Sequence, residues 1–229
     1  MLSAIIVAGG SSRRMGFDKL FAIIGGEPLI AHAIRAFDRA SSVSEIIVVA
    51  REKRRDEIKK ISRDADFKKV RSIVPGGQRR QDSVRAGLDR VGHKAKYVAV
   101  HDAARPLITP EQIERAFEQC RVHGAAALAQ PLNDTLKRAD ANLVVSGSVD
   151  RHQLYAMQTP QIFERKLIGD AYRAVYAENI SVTDEVSAVE RLGHKIALVL
   201  HDDFNFKITY PRDLPLAKFI LRERTKDGR

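Results

Sequence analysis

Residues 8–19 read AGGSSRRMGFDK and gather Gly9, Gly10, Ser11, Arg13, Arg14 and Lys19 within twelve positions. Small side chains at Ala8, Gly9, Gly10 and Ser11 allow backbone N–H groups to approach an anion or a base closely. Arg13, Arg14 and Lys19 add mobile positive charge beside them. The chemistry on offer is the gripping of a phosphorylated ligand. A P-loop requires G-x-x-x-x-G-K-[ST] and a dinucleotide fingerprint G-x-G-x-x-G, and the spacing of Gly9, Gly10 and Gly16 supplies neither. On residue content alone a solvated basic turn would be the commoner reading. What shifts the balance is position: the loop follows SAIIVA, an apolar β-branched run, and leads toward PLIAHAIRAF, whose apolar residues recur at helical spacing.

Further stretches have the same character. PGGQRRQDSV, residues 75–84, is a second Gly-rich loop ahead of a helical pattern, with Ser83 near the helix start; an ordinary turn and cap is its plainer reading. HDAARP, residues 101–106, places Asp102 and Arg105 at a strand's C-terminal end, where an aspartate can hold Mg2+ on a polyphosphate. FNFKITYPRDL, residues 204–214, brings Lys207 toward the same edge. In open α/β sheets ligands sit outside the carboxyl ends of the strands, so these stretches share one expected location.

The elements that must position them alternate. Strands are predicted near 3–7, 45–50, 70–74, 96–101, 125–129 and 195–200, and helices near 27–40, 52–63, 80–91, 110–123, 164–178, 183–193 and 211–222. This is an α/β chain with a mostly parallel sheet flanked by helices, and 229 residues suit one domain over 1–229. Residues 133–163 break the alternation. They lack helical period and hold two strand-like runs around ADAN, which reads as a projecting β-hairpin whose Val144, Val145 and Val149 need cover from a partner subunit.

The net charge of +10 suggests an anionic partner. Much of the excess lies in the mixed-sign runs at 51–69 and after residue 222, read as solvated helix faces and, over 223–229, a disordered tail. Aromatic content of 6% without tryptophan, and basic loops interrupted by glycine, weigh against a nucleic-acid binder. No apolar stretch has membrane-spanning length and no signal peptide is visible, so a cytoplasmic protein is expected. Cys120 cannot form an internal disulfide and reads as a plain buried residue.

Taken in order, AGGSSRRMGFDK, GGQRRQDSVRAGL, VHDAARP, PLNDTLKR, SVDRHQLYAMQTPQIF, SVTDEVSAVE and FNFKITYPRDL resemble the 2-C-methyl-D-erythritol 4-phosphate cytidylyltransferases over roughly residues 3–222. The resemblance implies a Rossmann-like nucleotidyltransferase fold and transfer of CMP from CTP to methylerythritol phosphate, with release of pyrophosphate, in the non-mevalonate isoprenoid pathway. It implies Arg14, Lys19 and Lys207 as catalytic cations and Ala8, Gly9, Gly10, Gly77, Gln78 and Ser83 around the nucleotide. Asp102, Arg105, Thr135, Arg151, Thr159 and Thr183 fall on the polyol-phosphate side, with Asp102 near Mg2+. It also implies a homodimer in which the arm at about 133–157 carries Thr135 and Arg151 into the partner's site. Two departures stand out: the loop MGFDKLF is shorter than in many members, and Gln78 stands where an acidic residue is common. The nearest rival is a cytidylyltransferase for another polyol phosphate such as ribitol 5-phosphate, from which VHDAARP and VDR favour methylerythritol phosphate. A non-catalytic regulatory domain is disfavoured by the intact cationic set.

Overall fold

In the computed structural model, which describes residues 1–226, the alternation becomes a three-layer arrangement. The chain runs β1 (Leu2–Ala8), β2 (Ile23–Ile24), β3 (Glu27–Pro28), α1 (Leu29–Arg39), β4 (Val43–Ala50), α2 (Arg55–Asp64), β5 (Val70–Pro75), α3 (Arg80–Leu88) and β6 (Tyr97–Asp102). It continues through α4 (Pro110–His123), β7 (Ala125–Pro131), β8 (Leu136–Ala139), β9 (Val145–Val149), β10 (Tyr155–Glu164), α5 (Arg165–Ala177), α6 (Glu185–Glu190), β11 (Ala197–Leu200) and α7 (Asp213–Lys226). Seven strands form one sheet in the order β11-β7-β10-β6-β1-β4-β5. All neighbours pair in parallel except β10, which runs antiparallel to both β6 and β7.

Side chains along β1 alternate between two cores, as a strand buried on both faces requires. Ala4, Ile6 and Ala8 pack on one side with Leu29, Ile34 and Phe37 of α1 and Ile113 of α4. Ile5 packs on the other with Val84 of α3 and Ile168 and Val175 of α5. Full burial of each of these Ile, Leu, Val and Phe side chains contributes about 1.5–3 kcal/mol, so the sheet is a rigid platform for the loops at its edge. Cys120 lies buried in α4, and burial pushes its thiol up to about 12, which leaves it unreactive as expected.

Three expectations are corrected. The segment 133–163 is not one hairpin: β8 and β9 form a separate two-stranded sheet, but 155–164 is β10, an interior strand of the main sheet. Helix α1 starts at Leu29 rather than 27, because Gly25 and Gly26, both at positive φ, turn β2 into β3 first. Residues 223–226 continue α7, where the Arg224 guanidinium donates to the Leu107 and Phe204 carbonyls, so the expected tail does not begin there; 227–229 lie outside the described residues. Among the described residues no helix is long and apolar enough to cross a membrane.

Candidate functional site

From β1 the chain builds outward to β4 and β5 on one side, then crosses back to β6 on the other. Loops after β1 and β6 therefore diverge at the switch point where a doubly wound sheet opens a crevice. A cavity of about 330 Å3 lies there, lined by Ala8, Gly9, Gly10, Lys19, Gly77, Gln78, Ser83, Asp102 and Lys207 from the expected set. Four stretches far apart in sequence thus meet at one place.

Local chemistry explains each loop. In the first, Ser12 at φ 55° and Gly16 at φ 75° bracket a short 3-10 turn, Arg13–Met15, anchored by buried Met15. A second turn, Lys19–Phe21, starts where the Asp18 carboxylate accepts from the Leu20 N–H, and buried Leu20 holds it. Lys19 Nζ then donates to the Ile208 carbonyl at 2.5 Å. The carbonyls of Ala8 and Gly10 accept from Arg54 Nη1 at 2.8 Å each, and that of Gly9 accepts from Arg51 Nε at 2.8 Å. With its acceptors occupied by these arginines, the loop presents amide donors and cations to a ligand.

The second loop needs its glycines. A Cβ on Gly77 would lie 2.3 Å from Asp82 Cβ and one on Gly76 2.7 Å from Ser83 Oγ, while a Cβ on Gly9 of the first loop would meet the same Ser83 Oγ at 3.2 Å. Ser83 Oγ accepts from the Gly77 N–H, so this hydroxyl ties the second Gly-rich loop to the start of α3. The start of α3 is capped instead by Asp82, whose carboxylate accepts from the Arg79 N–H and guanidinium.

Asp102 ends β6 and is held by two cations: Arg80 Nε donates to Oδ1 at 3.2 Å and Lys207 Nζ to Oδ2 at 2.7 Å. Burial opposes its ionisation, but the charges of Arg80 and Lys207 outweigh that and hold the carboxyl well below the usual carboxylate range. The pKa of Lys19 lies below that of a surface lysine, because burial, then the nearby Lys207 charge, disfavour its charged form. Among the cavity's lining residues Arg13, Lys19, Arg51, Arg79, Arg80 and Lys207 are cationic, and Asp102 is the single carboxylate.

Other expected residues lie elsewhere. Arg14 is exposed beside the cavity, its guanidinium 5.3 Å from the Tyr210 ring centroid, while Arg13 lines the wall. Arg105 is occupied beneath the floor, Nη1 donating to the Asn205 carbonyl at 2.7 Å, which fastens the segment leading to Lys207. Thr159 is buried, with Oγ1 accepting from the Asp102 N–H at 3.1 Å and 3.1 Å from His101 Nδ1. Thr183 is exposed just before α6, and Thr135 and Arg151 stand on the exposed arm, outside this chain's own cavity. Sequence reasoning passed over Arg51, Arg54, Arg79, Arg80 and Ser12. Arg54, assigned above to a solvated helix face, is 3% exposed. The signal that could have found Arg51 and Arg54 is their place directly after β4, on the ligand edge. Ser12, a residue of the cavity lining, has its Oγ buried with no hydrogen-bond partner among the described residues.

His101 supports the Asp102 loop from within the core. Its Nε2 donates to the Arg105 carbonyl at 3.2 Å while Nδ1 accepts from Thr159, so the neutral ring satisfies both contacts. Burial pushes its pKa down from 6.5 to about 4. A histidine depressed in the folded state contributes stability that is complete above pH 6.5 and is lost as pH falls toward 4. Unfolding free energy should drop by about 2–3 kcal/mol from this group between pH 7 and 4.5. Urea titrations of the protein and of His101→Gln at both pH values check this; parallel pH dependences would show that His101 contributes none of it.

A model of the 2-C-methyl-D-erythritol 4-phosphate cytidylyltransferase family matches residues 2–223. The enzyme of that name from Caldanaerobacter subterraneus subsp. tengcongensis is 40% identical over 225 residues, covering 97% of this chain and 99% of the relative. That from Halalkalibacterium halodurans is 36% identical, covering 98% of each. Among solved structures, 4-diphosphocytidyl-2C-methyl-D-erythritol synthase from Anaerococcus prevotii superposes with a TM-score of 0.84 at 30% identity, covering 96% of both chains.

Proposed function

The chain belongs to the 2-C-methyl-D-erythritol 4-phosphate cytidylyltransferase family and transfers CMP from CTP to that polyol phosphate in isoprenoid biosynthesis, and we propose that it does so in the cleft at the end of β1, β5 and β6. What supports the placement is six cations around one carboxylate at the switch point, a charge balance suited to a triphosphate meeting a second phosphate. In the reaction an oxygen of the polyol phosphate attacks the α-phosphorus of CTP in line. The bond to the β-phosphate oxygen breaks and pyrophosphate leaves. Charge accumulates on the nonbridging and leaving oxygens, so the protein contributes alignment and fixed positive charge.

Lys19, fixed between the first loop and Ile208, faces the triphosphate together with the loop amides and Ser12. Arg14 joins it by leaving the Tyr210 ring. Lys207, on the return segment beside Asp102, meets the attacking phosphate. The two loops of small residues around Ser83 enclose the base. Arg105 and Thr159 hold Lys207 and Asp102 in place from beneath, and Thr183 and the arm of a second subunit complete the polyol-phosphate side.

Mg2+ fits the donor chemistry in one way. Among the described residues no group of three or more His, Cys, Asp or Glu could cage a metal, and Asp102 is the carboxylate at the cavity. A Mg2+ held by Asp102 would take its remaining ligands from nucleotide phosphates and water, the usual arrangement for this ion. Bound so, it would neutralise phosphate charge during transfer.

Pyrophosphate release over a matrix of nucleotides and polyol phosphates, with and without EDTA, tests this reading. Activity is expected with CTP and methylerythritol phosphate and none after chelation. CTP should exceed UTP at least tenfold in kcat/KM, because exchanging the amino group for a carbonyl leaves a buried partner unpaired at a cost of about 1–3 kcal/mol. Equal use of both, or equal activity with ribitol 5-phosphate, would overturn the assignment.

A further inference from the structure

Arg80 opens α3 where the second Gly-rich loop ends, and its guanidinium is divided between two acids. Nη1 and Nη2 donate to Oε1 and Oε2 of Glu185 at 2.6 and 2.9 Å, while Nε donates to Asp102 Oδ1 at 3.2 Å. Glu185, at the start of α6, is 0% exposed and also accepts from Tyr172 Oη at 2.9 Å. Neighbouring Gln81 clamps the segment before α6: its amide donates to the Ile180 carbonyl at 3.0 Å and accepts from the Val182 N–H at 2.9 Å. The anchor beneath Arg80 is therefore fixed on both sides.

The two counter-ions of Asp102 differ in freedom. Arg80 cannot leave without stranding the buried charge of Glu185, which is strongly unfavourable. Lys207 has a 42% exposed side chain, a flexible stem and a single contact to Asp102. We propose that Arg80 is a positioning residue that keeps Asp102 oriented and neutralised while Lys207 transfers from Asp102 to the incoming polyol phosphate. The proposal rests on the cleft assignment above and adds to it the reason Lys207 can move. Without Arg80, Lys207 is the cation still hydrogen-bonded to Asp102 among the described residues and is held there more tightly, so the phosphate loses its partner.

This makes the effect of Arg80 conditional on the charge of Asp102. With CTP saturating, Arg80→Gln should lower kcat/KM for methylerythritol phosphate by about twentyfold, with a raised KM, and by less than about threefold in an Asp102→Asn background, the signature of coupled groups. Single-turnover measurements with excess enzyme keep the weaker variants readable. Glu185→Gln, which lies outside the cavity and preserves shape, should act in the same direction by about fivefold and be suppressed in the same background. Thermal unfolding monitors folding, and if Arg80→Gln does not fold, Arg80→Lys and Glu185→Gln carry the cycle. Equal fold losses in both backgrounds, or no loss in the parent, would overturn the role of Arg80; a merely structural role gives equal losses and an unchanged KM. If Asp102→Asn and Lys207→Ala alone keep full activity, the cleft assignment fails instead.

Discussion

Lys19→Ala is expected to lower kcat by about 10²–10³-fold, about 3–4 kcal/mol of barrier, the usual cost of removing one preorganised charge donor from a transition state. The size follows from how the residue is held. Asp18 and buried Leu20 fix the turn that carries it, and the Ile208 carbonyl fixes its ammonium at 2.5 Å, so little reorganisation remains when charge develops on the phosphates. Its position is also electrostatically unfavourable in the free protein, since burial and Lys207 depress its pKa. Bound phosphate relieves that penalty, most of all where negative charge is greatest. Lys19→Arg restores charge without the geometry and should recover less than a tenth of the lost rate, because the longer planar group cannot occupy the same site. Rapid-quench turnover with both substrates saturating measures this directly. A kcat within about threefold of the parent, less than ~1 kcal/mol, would remove Lys19 from the transition state.

What the sequence made legible follows from which signals are local. The strands β1, β4 and β6 announce themselves as apolar runs, and each ligand loop directly follows one strand and precedes one helix. Strand β10 was hidden because its central part, Gln158-Thr159-Pro160-Gln161, looks like a polar turn. Those groups are paired inside the fold: Gln161 accepts from the Glu185 and Val186 N–H groups and donates to Asp184, while Thr159 accepts from Asp102. A buried polar strand of this kind has no hydrophobic period to detect. Arg54 was hidden for the opposite reason. It sits among basic neighbours of which several are exposed, and only the tertiary position of the Ala8 and Gly10 carbonyls distinguishes it. Arg80 stands next to Arg79, an identical residue type whose guanidinium pairs with Asp82 instead. Residue type and spacing locate the cleft, whereas the division of labour among its cations depends on partners 22 and 105 positions away.

The arm makes a claim about assembly that a single chain's cavity cannot carry. Among the described residues, strands β8 and β9 pair only with each other, and Leu143 and Val144 in the turn between them and Val145 on β9 are exposed, so the hairpin has no core of its own. Arg151, whose Nη1 donates to the Asn133 carbonyl at the arm's base, stands outside its own chain's cavity. We propose that the arm crosses to a second copy and delivers Arg151 to the polyol phosphate there. Lys19→Ala and Arg151→Ala should each be nearly inactive alone. A dimer with one of each then holds one site lacking both groups and one site lacking neither, because contacts across a two-fold axis are reciprocal. Random pairing of equal amounts makes about half the dimers mixed, so coexpression should recover about a quarter of the parent rate, and doubly tagged dimers purified through both tags should approach about half of it. If Arg151 serves its own subunit, every site in the mixed dimer lacks one group and the doubly tagged protein stays as inactive as the two variants. That outcome would require the exposed valines of the arm to find their cover within their own chain, and would separate the dimer from the chemistry altogether.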